Sequence, residues 1–272
     1  MVSIKFLVLL GVLQGLTEFL PISSSGHLVI AQSFIPGFRQ PGVLLDVNLH
    51  LGTLVALLVY FRRDFTAMFF SLLDLRHARD SSVRRLMWLL VVGSVPTALI
   101  GILFRRELEL LFSKVSVAGG MLLVTGSLLF ATDRVQGEER ELKEMRISDA
   151  LAVGLAQGLA LVPGISRSGA TIAVGLLVGL ERELALRYSF LLSVPVILGA
   201  FVIQIMVHAA ALTQSVDVLG YGAGVAAAFL VGYASIAVLL RMLLSRRLSF
   251  FAYYCWVVGI TVLLLESLSP LF

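Results

Sequence analysis

Charge and cysteine are what this chain of 272 residues has least of. Only 14% of its residues are Asp, Glu, Lys or Arg, against roughly 25% in a soluble domain, while 58% are hydrophobic and the mean hydropathy is +0.98. Such a chain cannot cover a water-facing surface and reads as an integral membrane protein. A single cysteine, Cys255, excludes a disulfide within the chain; it sits in an apolar run and is expected to pack. The formal charge of +4 is too small, and too confined to loops, to recruit nucleic acid. The first apolar run carries Lys5 but is interrupted by Glu18 and Pro21 and lacks a small-residue cleavage site. It is expected to belong to the fold rather than to a signal peptide.

What the chain has is a repeat. Gly11-Val-Leu-Gln-Gly-Leu-Thr-Glu-Phe-Leu-Pro-Ile-Ser-Ser-Ser-Gly26 returns 143 residues later as Gly154-Leu-Ala-Gln-Gly-Leu-Ala-Leu-Val-Pro-Gly-Ile-Ser-Arg-Ser-Gly169. Gly11, Gln14, Gly15, Leu16, Ile22, Ser23, Ser25 and Gly26 match Gly154, Gln157, Gly158, Leu159, Ile165, Ser166, Ser168 and Gly169 without a gap. Each copy is a helical run stopped by proline and emptied into a Ser/Gly loop.

Apolar runs near 43–61, 86–104, 115–132, 188–207, 218–240 and 248–265 are each long enough, at about 1.5 Å per residue, for a hydrocarbon core of about 30 Å. The two repeats add helices followed by pieces near 27–35 and 170–180 that are too short to cross. They are expected to form re-entrant hairpins. Residues 2–20 could span alone, but the short piece after Ser25 would then be stranded on the wrong side. The expected fold is therefore an all-α membrane protein, a single polytopic domain over 1–272, with six transmembrane helices and two re-entrant helix-loop-helix hairpins.

Three spans separate the hairpins, so the halves, about 1–135 and 147–272, form an inverted repeat whose broken tips meet near the midplane. A polar connector, about 133–149, joins them and is expected to be solvated. If the 62–85 loop is cytoplasmic, that side holds fifteen of the twenty-one Lys and Arg, and the opposite side Lys5, Arg39, Arg105, Arg106 and Lys114. By the positive-inside bias the first hairpin opens outward and the C-terminus lies outside.

Ionisable residues inside apolar runs cost about 2.5–3.5 kcal/mol at the membrane centre, which makes Glu18, His27 and Arg167 functional candidates. In the repeat alignment Glu18 faces Leu161 and Ser24 faces Arg167. Arg167, the hydroxyls of Ser23, Ser24, Ser25, Ser166, Ser168 and Thr171, and the N–H groups opening the short helices together suit a phosphate. Gln14 and Glu18 share a helix face, and His27 can hold a proton. These groups make phosphoryl transfer plausible, with Ser24 as nucleophile, His27 or Glu18 as base and Arg167 on the transferring phosphoryl.

Smaller expectations attach to other residues. Asp46 and His50 share a face and read as interfacial caps or as lining of the outer mouth. His77 is expected in solvent and His208 at an interface. Gly11/Gly15, Gly154/Gly158 and Gly175/Gly179 are expected to pack helices closely. Ser94-Val-Pro96 and Ser193-Val-Pro195 look alike, without the 143-residue offset, and are expected only to kink their helices.

At its two motifs the chain resembles the undecaprenyl pyrophosphate phosphatase family, the bacitracin-resistance type of bacterial membrane phosphatase. Gln14-Gly-Leu-Thr-Glu18-Phe-Leu-Pro-Ile-Ser-Ser-Ser-Gly-His27 is similar to the family's (Glu/Gln)-x-x-x-Glu motif with its serine run and histidine. Pro163-Gly-Ile-Ser-Arg-Ser-Gly-Ala-Thr171 is similar to its Pro-Gly-x-Ser-Arg-Ser-x-x-Thr motif. The resemblance implies hydrolysis of a polyprenyl diphosphate to the monophosphate and inorganic phosphate at the outer face of the bacterial cytoplasmic membrane, recycling the lipid carrier for peptidoglycan and other cell-wall glycans and conferring bacitracin resistance. It places functional roles on Gln14, Glu18, Ser23, Ser24, His27, Ser166, Arg167 and Thr171, with Ser24 or His27 as nucleophile and Ser24 favoured. It also implies a divalent cation, Mg2+ or Ca2+, with Glu18 as the metal-binding carboxylate, although Gln14 removes one potential ligand. The expected partners are the polyprenyl diphosphate and membrane lipids, with a homodimer left open by the glycine-rich spans. The alternative reading is an inverted-repeat transporter or flippase for polyprenyl phosphate.

Overall fold

The computed structural model describes residues 3–35, 37–38, 43–73, 81–132, 134, 139–208, 217–243 and 248–268. Arg39, the 74–80 stretch with His77, residues 133 and 135–138 of the connector, residues 244–247 and the side chain of His208 lie outside them. Among the described residues the chain forms twelve α-helices and one isolated parallel bridge, Arg140 with Leu180. The first half contributes α1 (Ile4–Phe19), α2 (Ser24–Ser33), α3 (Val43–Tyr60), α4 (Arg62–Leu73), α5 (Ser81–Leu103), α6 (Arg105–Leu111) and α7 (Val115–Thr132). The second contributes α8 (Ile147–Leu159), α9 (Arg167–Leu177), α10 (Arg182–His208), α11 (Val218–Leu243) and α12 (Ser249–Leu268).

Five helices, α5, α7, α10, α11 and α12, are long and apolar enough to cross a membrane alone, and α3 with α4 makes a sixth candidate. These are the six runs expected from sequence, and the protein is a multi-pass membrane protein. The 62–85 stretch, expected to be a loop, instead begins as α4, turned from α3 by 78°. Arg62 and Arg63 open α4 while Phe69, Phe70, Leu72 and Leu73 stand exposed on it, the composition of a helix lying in a membrane interface. An ion pair from Arg187 to Asp64 ties it to α10. The short α6 was also unforeseen; its Arg105–Glu109 pair at 3.0 Å is half exposed and contributes only a few tenths of a kcal/mol.

Proline and glycine set the two breaks. Leu20, ahead of Pro21, is forced out of the helical region to φ −64°, ψ 144°, and α1 ends there. In the second copy the chain turns at Gly164, φ +98°, where a side chain would also strike the Ala118 carbonyl. The pieces that follow, α2 with 10 residues and α9 with 11, reach only about 15–17 Å.

Each repeat helix packs on a span of the other half: α1 on α11, α8 on α5. Glycines permit it. A Cβ on Gly11 would collide with the Gly224 carbonyl, and one on Gly154 with the Gly93 carbonyl. The expected close packing through Gly11/Gly15 and Gly154/Gly158 is what the helices show. Gly179 differs: at φ +87° it turns the chain after α9 rather than packing a helix, while Gly175 lies against Ala185. Pro96 and Pro195 sit inside α5 and α10, where Ser94 and Ser193 donate to the carbonyls of Leu90 and Phe190.

Over residues 139–149 the connector is largely exposed, as expected, and is also tied to the turn after α9. Arg140 N–H donates to Gly179 O at 2.8 Å, Glu181 N–H donates to Arg140 O at 3.0 Å, and the guanidinium reaches Asp149 at 2.8 Å and the Val178 carbonyl. Met145 is fully buried, with Arg85 donating to its carbonyl at 2.7 Å.

The core encloses the two breaks. Phe19 and Ile22 from the first tip and Ile172 from α9 join Leu54, Leu57, Leu122 and Phe190 in one buried cluster, and Phe19 meets Phe190 edge-on at 5.6 Å. Apolar packing around both breaks thus helps to fix the polar residues between them. Cys255 is fully buried in the same cluster, as expected.

Candidate active site at the paired loop tips

The two loops use the same device at the same place in the repeat. Ser23 caps α2, its Oγ accepting from Gly26 N–H at 3.2 Å; Ser166 caps α9, accepting from Gly169 N–H at 3.0 Å. Each such cap stabilises by roughly 1 kcal/mol. The loops then bond to one another: Ser23 Oγ donates to Ile165 O at 3.3 Å, and Ser168 Oγ to Leu20 O at 3.2 Å. Gly26 lies so near Gly164 that a Cβ would come within 2.9 Å of the Gly164 Cα. Thr125 of α7 completes the frame, donating to Gly164 O at 2.9 Å and accepting from Ser166 N–H at 3.0 Å.

Where the copies differ, charge appears. Glu18, whose counterpart is Leu161, is buried at 5% exposure. Ser24 Oγ donates to its Oε2 at 2.5 Å, Gln14 Nε2 donates to the same oxygen at 2.9 Å, and His50 Nε2 stands 3.3 Å from it. Arg167 holds the other oxygen, Oε1. A buried carboxylate needs such company, because an unpaired one would carry a desolvation penalty of several kcal/mol. Ser24 and Arg167 are each the first residue of a helix, so α2 and α9 both aim their N-termini, with their partial positive charge, at this group.

His27 does not join that group. Its Nδ1 lies 2.7 Å from Ser23 O, an atom that only accepts, so Nδ1 carries the proton. In the neutral ring Nε2 is then an acceptor, and Tyr254 Oη donates to it at 2.8 Å. The two rings are nearly parallel, 9° apart with centroids at 5.6 Å. Ser23 itself stands at φ 69°, the one non-glycine residue with positive φ among the described residues, a conformation that costs of order 1–3 kcal/mol.

The remaining expected residues divide. Ser166 and Ser168 build the frame, and Ser25 contributes a hydroxyl 3.3 Å from that of Ser23. Thr171 is fully buried and turned to α10, donating to Arg167 O at 2.7 Å with Ser189 Oγ 2.5 Å away. Three residues outside the expected set reach the site. His50 is braced by Asp46 O at 2.7 Å from its Nδ1; Thr53 accepts from Gln14 at 3.4 Å; Tyr254 approaches from α12. The shared face of Asp46 and His50 was the only sequence signal for any of them.

The described residues form no cage of their own for a divalent cation. No group of three His, Cys, Asp or Glu gathers among the described residues. Both oxygens of Glu18 are already taken by donors, leaving Gln14 Oε1 as the one oxygen of the pair without a partner.

Comparison with known proteins supplies the family. The model of the family described as bacitracin resistance protein BacA matches residues 7–261. A protein of Syntrophotalea carbinolica named undecaprenyl-diphosphatase is 47% identical, with 93% of this chain and 95% of that one covered. Proteins of the same name from Halothermothrix orenii and Methanosphaera stadtmanae are 44% and 42% identical, covering 96% and 98% of this chain and 97% and 99% of theirs. Matched almost from end to end, with both motif loops inside the matched region, the chain belongs to the bacitracin resistance protein BacA family.

Proposed function

We propose that this protein is a phosphatase that removes the terminal phosphate of undecaprenyl diphosphate, with Ser24 as nucleophile. The observation that carries the reading is the Ser24 Oγ to Glu18 Oε2 hydrogen bond of 2.5 Å, with Arg167 on the opposite oxygen of the same carboxylate. Glu18 takes the hydroxyl proton as Ser24 Oγ attacks phosphorus, and the bond to the lipid monophosphate breaks. Arg167 leaves Glu18 for the phosphoryl oxygens, which both stabilises their charge and removes the cation that restrained Glu18 as a base. Water then attacks the phosphoserine; its phosphorus–Oγ bond breaks, Glu18 returns the proton to Ser24, and inorganic phosphate leaves with the proton of water. N–H groups opening α2 and α9 receive the phosphate. His27 is set aside as base because its free nitrogen is turned to Tyr254. Ser23, Ser25, Ser166, Ser168 and Gln14 hold the loops and Glu18 in place, and Thr171 orients Arg167 through its carbonyl.

The lipid diphosphate brings its own Mg2+ or Ca2+ in this reading, since the described residues offer no cage for one. The halves 1–135 and 147–272 are taken as inverted repeats, a relation supported by the exchange of partners between α1 on α11 and α8 on α5. The cleft then opens to the outer face of the bacterial cytoplasmic membrane, the C-terminus lies outside, and the product re-enters the carrier pool for cell-wall glycans, which is how bacitracin resistance would arise. A lipid carrier or flippase on the same frame would have no use for a serine hydroxyl hydrogen-bonded to a buried carboxylate.

The deciding measurement is phosphate release from undecaprenyl diphosphate in detergent. Ser24→Ala and Arg167→Ala are each expected to lose at least about 100-fold in kcat. Undiminished release by both would overturn the site, and lipid flux in liposomes without phosphate release would favour the carrier.

A further inference from the structure

The two loops serve as an internal control for one another. Ser23 and Ser166 occupy the same place and cap their helices in the same way, yet Ser166 has an ordinary backbone, φ −72° and ψ 118°, while Ser23 stands at φ 69° and ψ 93°. The loops differ in where the positive φ falls, at Gly164 in the second and at Ser23 behind Pro21 in the first, and again four residues on. Ala170 offers Ser166 O only a backbone N–H, at 2.8 Å; His27 offers Ser23 O its backbone N–H at 3.2 Å and its Nδ1–H at 2.7 Å. The imidazole is in turn held from the far side by Tyr254, which bonds Nε2 at 2.8 Å and lies parallel to the ring.

We infer that Tyr254 is a positioning residue for the reaction: through His27 it holds the Ser23 carbonyl, and with it the unfavourable backbone that aims the next side chain, Ser24, at Glu18. The inference rests on the reading of Ser24 as nucleophile. The chain of contacts runs from Tyr254 Oη to His27 Nε2, across the ring to Nδ1–H, to Ser23 O, and through one peptide to Ser24, whose Oγ meets Glu18 at 2.5 Å. Tyr254 is 39% exposed on α12, so it reaches the loop from outside the Glu18 group, and its hydroxyl is engaged by His27 rather than by Ser24 or Arg167. Donation from the phenol also fixes the tautomer that keeps a proton on Nδ1 for Ser23 O.

The test is Tyr254→Phe, which keeps the stacked ring and removes one hydroxyl. With undecaprenyl diphosphate in detergent, kcat is expected to fall about fivefold to tenfold with KM unchanged, the loss of one hydrogen bond. In a His27→Ala background the same substitution is expected to change nothing further, because the path has been cut. Independently of activity, the 15N resonance of His27 Nε2, assigned by its disappearance in His27→Ala, is expected to shift in Tyr254→Phe. An unchanged kcat, a loss that persists in full in His27→Ala, or an unmoved Nε2 resonance would overturn the inference. Ser24→Ala measured alongside separates the outcomes: if it too remains active, the reading of the nucleophile has failed, whereas inactive Ser24→Ala beside fully active Tyr254→Phe condemns the positioning role alone.

Discussion

Ser24 and Arg167 occupy one place in the repeat and bind opposite oxygens of one carboxylate, Ser24 the Oε2 of Glu18 and Arg167 its Oε1. Divergence of the two copies has therefore produced a serine and a cation that meet at a shared acid. Glu18→Gln separates the acid's two duties. It removes the base, so phosphate release is expected to fall at least about 100-fold, and it leaves Arg167 partly buried without its counter-charge, which is expected to destabilise the protein by about 3 kcal/mol. Adding Arg167→Gln should restore much of the thermal stability in detergent and none of the activity.

The glycine contacts between halves predict a graded series of stabilities. Gly11→Ala and Gly154→Ala each put a methyl into a backbone carbonyl of the facing helix, where no side chain can yield, and are expected to cost about 1–3 kcal/mol. Gly120→Ala on α7 meets nothing within 4 Å and is expected to be neutral or stabilising by up to about 1 kcal/mol. Thermal unfolding in one detergent compares the three. Equal behaviour of Gly154→Ala and Gly120→Ala would remove the packing argument.

Much of this architecture is legible in the order of residues. Run lengths locate the six long segments because helix length against bilayer thickness is a local property, and the repeat locates the tips because its two copies end at Pro and Ser/Gly. Contacts that depend on which way a helix turns are not legible. His50 is visible only as a neighbour of Asp46 on one face of α3; its approach to Glu18 follows from α3 packing on α11 and α1, with Thr53 accepting from Gln14. Tyr254 sits among Tyr253, Cys255 and Trp256 in a run that reads as lipid-facing aromatics, 227 residues from the histidine it binds. Thr171, expected on the phosphate from its place in the motif, is hydrogen-bonded to Ser189 of α10, a contact between helices that the motif does not show. Residues Arg62 to Leu73 read as loop because charge opens them, whereas they form a helix on which Phe69, Phe70, Leu72 and Leu73 stand exposed.

His50 bridges α3 to the acid: Nδ1 lies 2.7 Å from Asp46 O and Nε2 3.3 Å from Glu18 Oε2, two acceptors that the imidazolium form serves with both of its N–H groups. His50→Ala removes that contact and opens a polar void beside Glu18. It is expected to lower kcat about tenfold, with a smaller effect for His50→Gln, whose amide can still donate to Glu18. Phosphate release by the two variants checks the order; equal losses would show that volume, not the hydrogen bond, is what His50 supplies.

The cation can be placed by asking when it binds. If the protein held a resident Mg2+ or Ca2+, adding either metal alone would raise the melting temperature of the metal-stripped protein, because a ligand bound only to the folded state stabilises it. Glu18 offers no free oxygen, since Ser24, Gln14 and His50 surround Oε2 and Arg167 holds Oε1. Metal alone is therefore expected to leave the melting temperature unchanged at millimolar concentration. Chelation is nonetheless expected to abolish phosphate release, and activity should then follow the concentration of the metal–diphosphate complex rather than that of free metal. A rise in melting temperature with metal alone, lost in Glu18→Gln, would instead show that the carboxylate gives up Arg167 or Ser24 to hold the ion before substrate arrives.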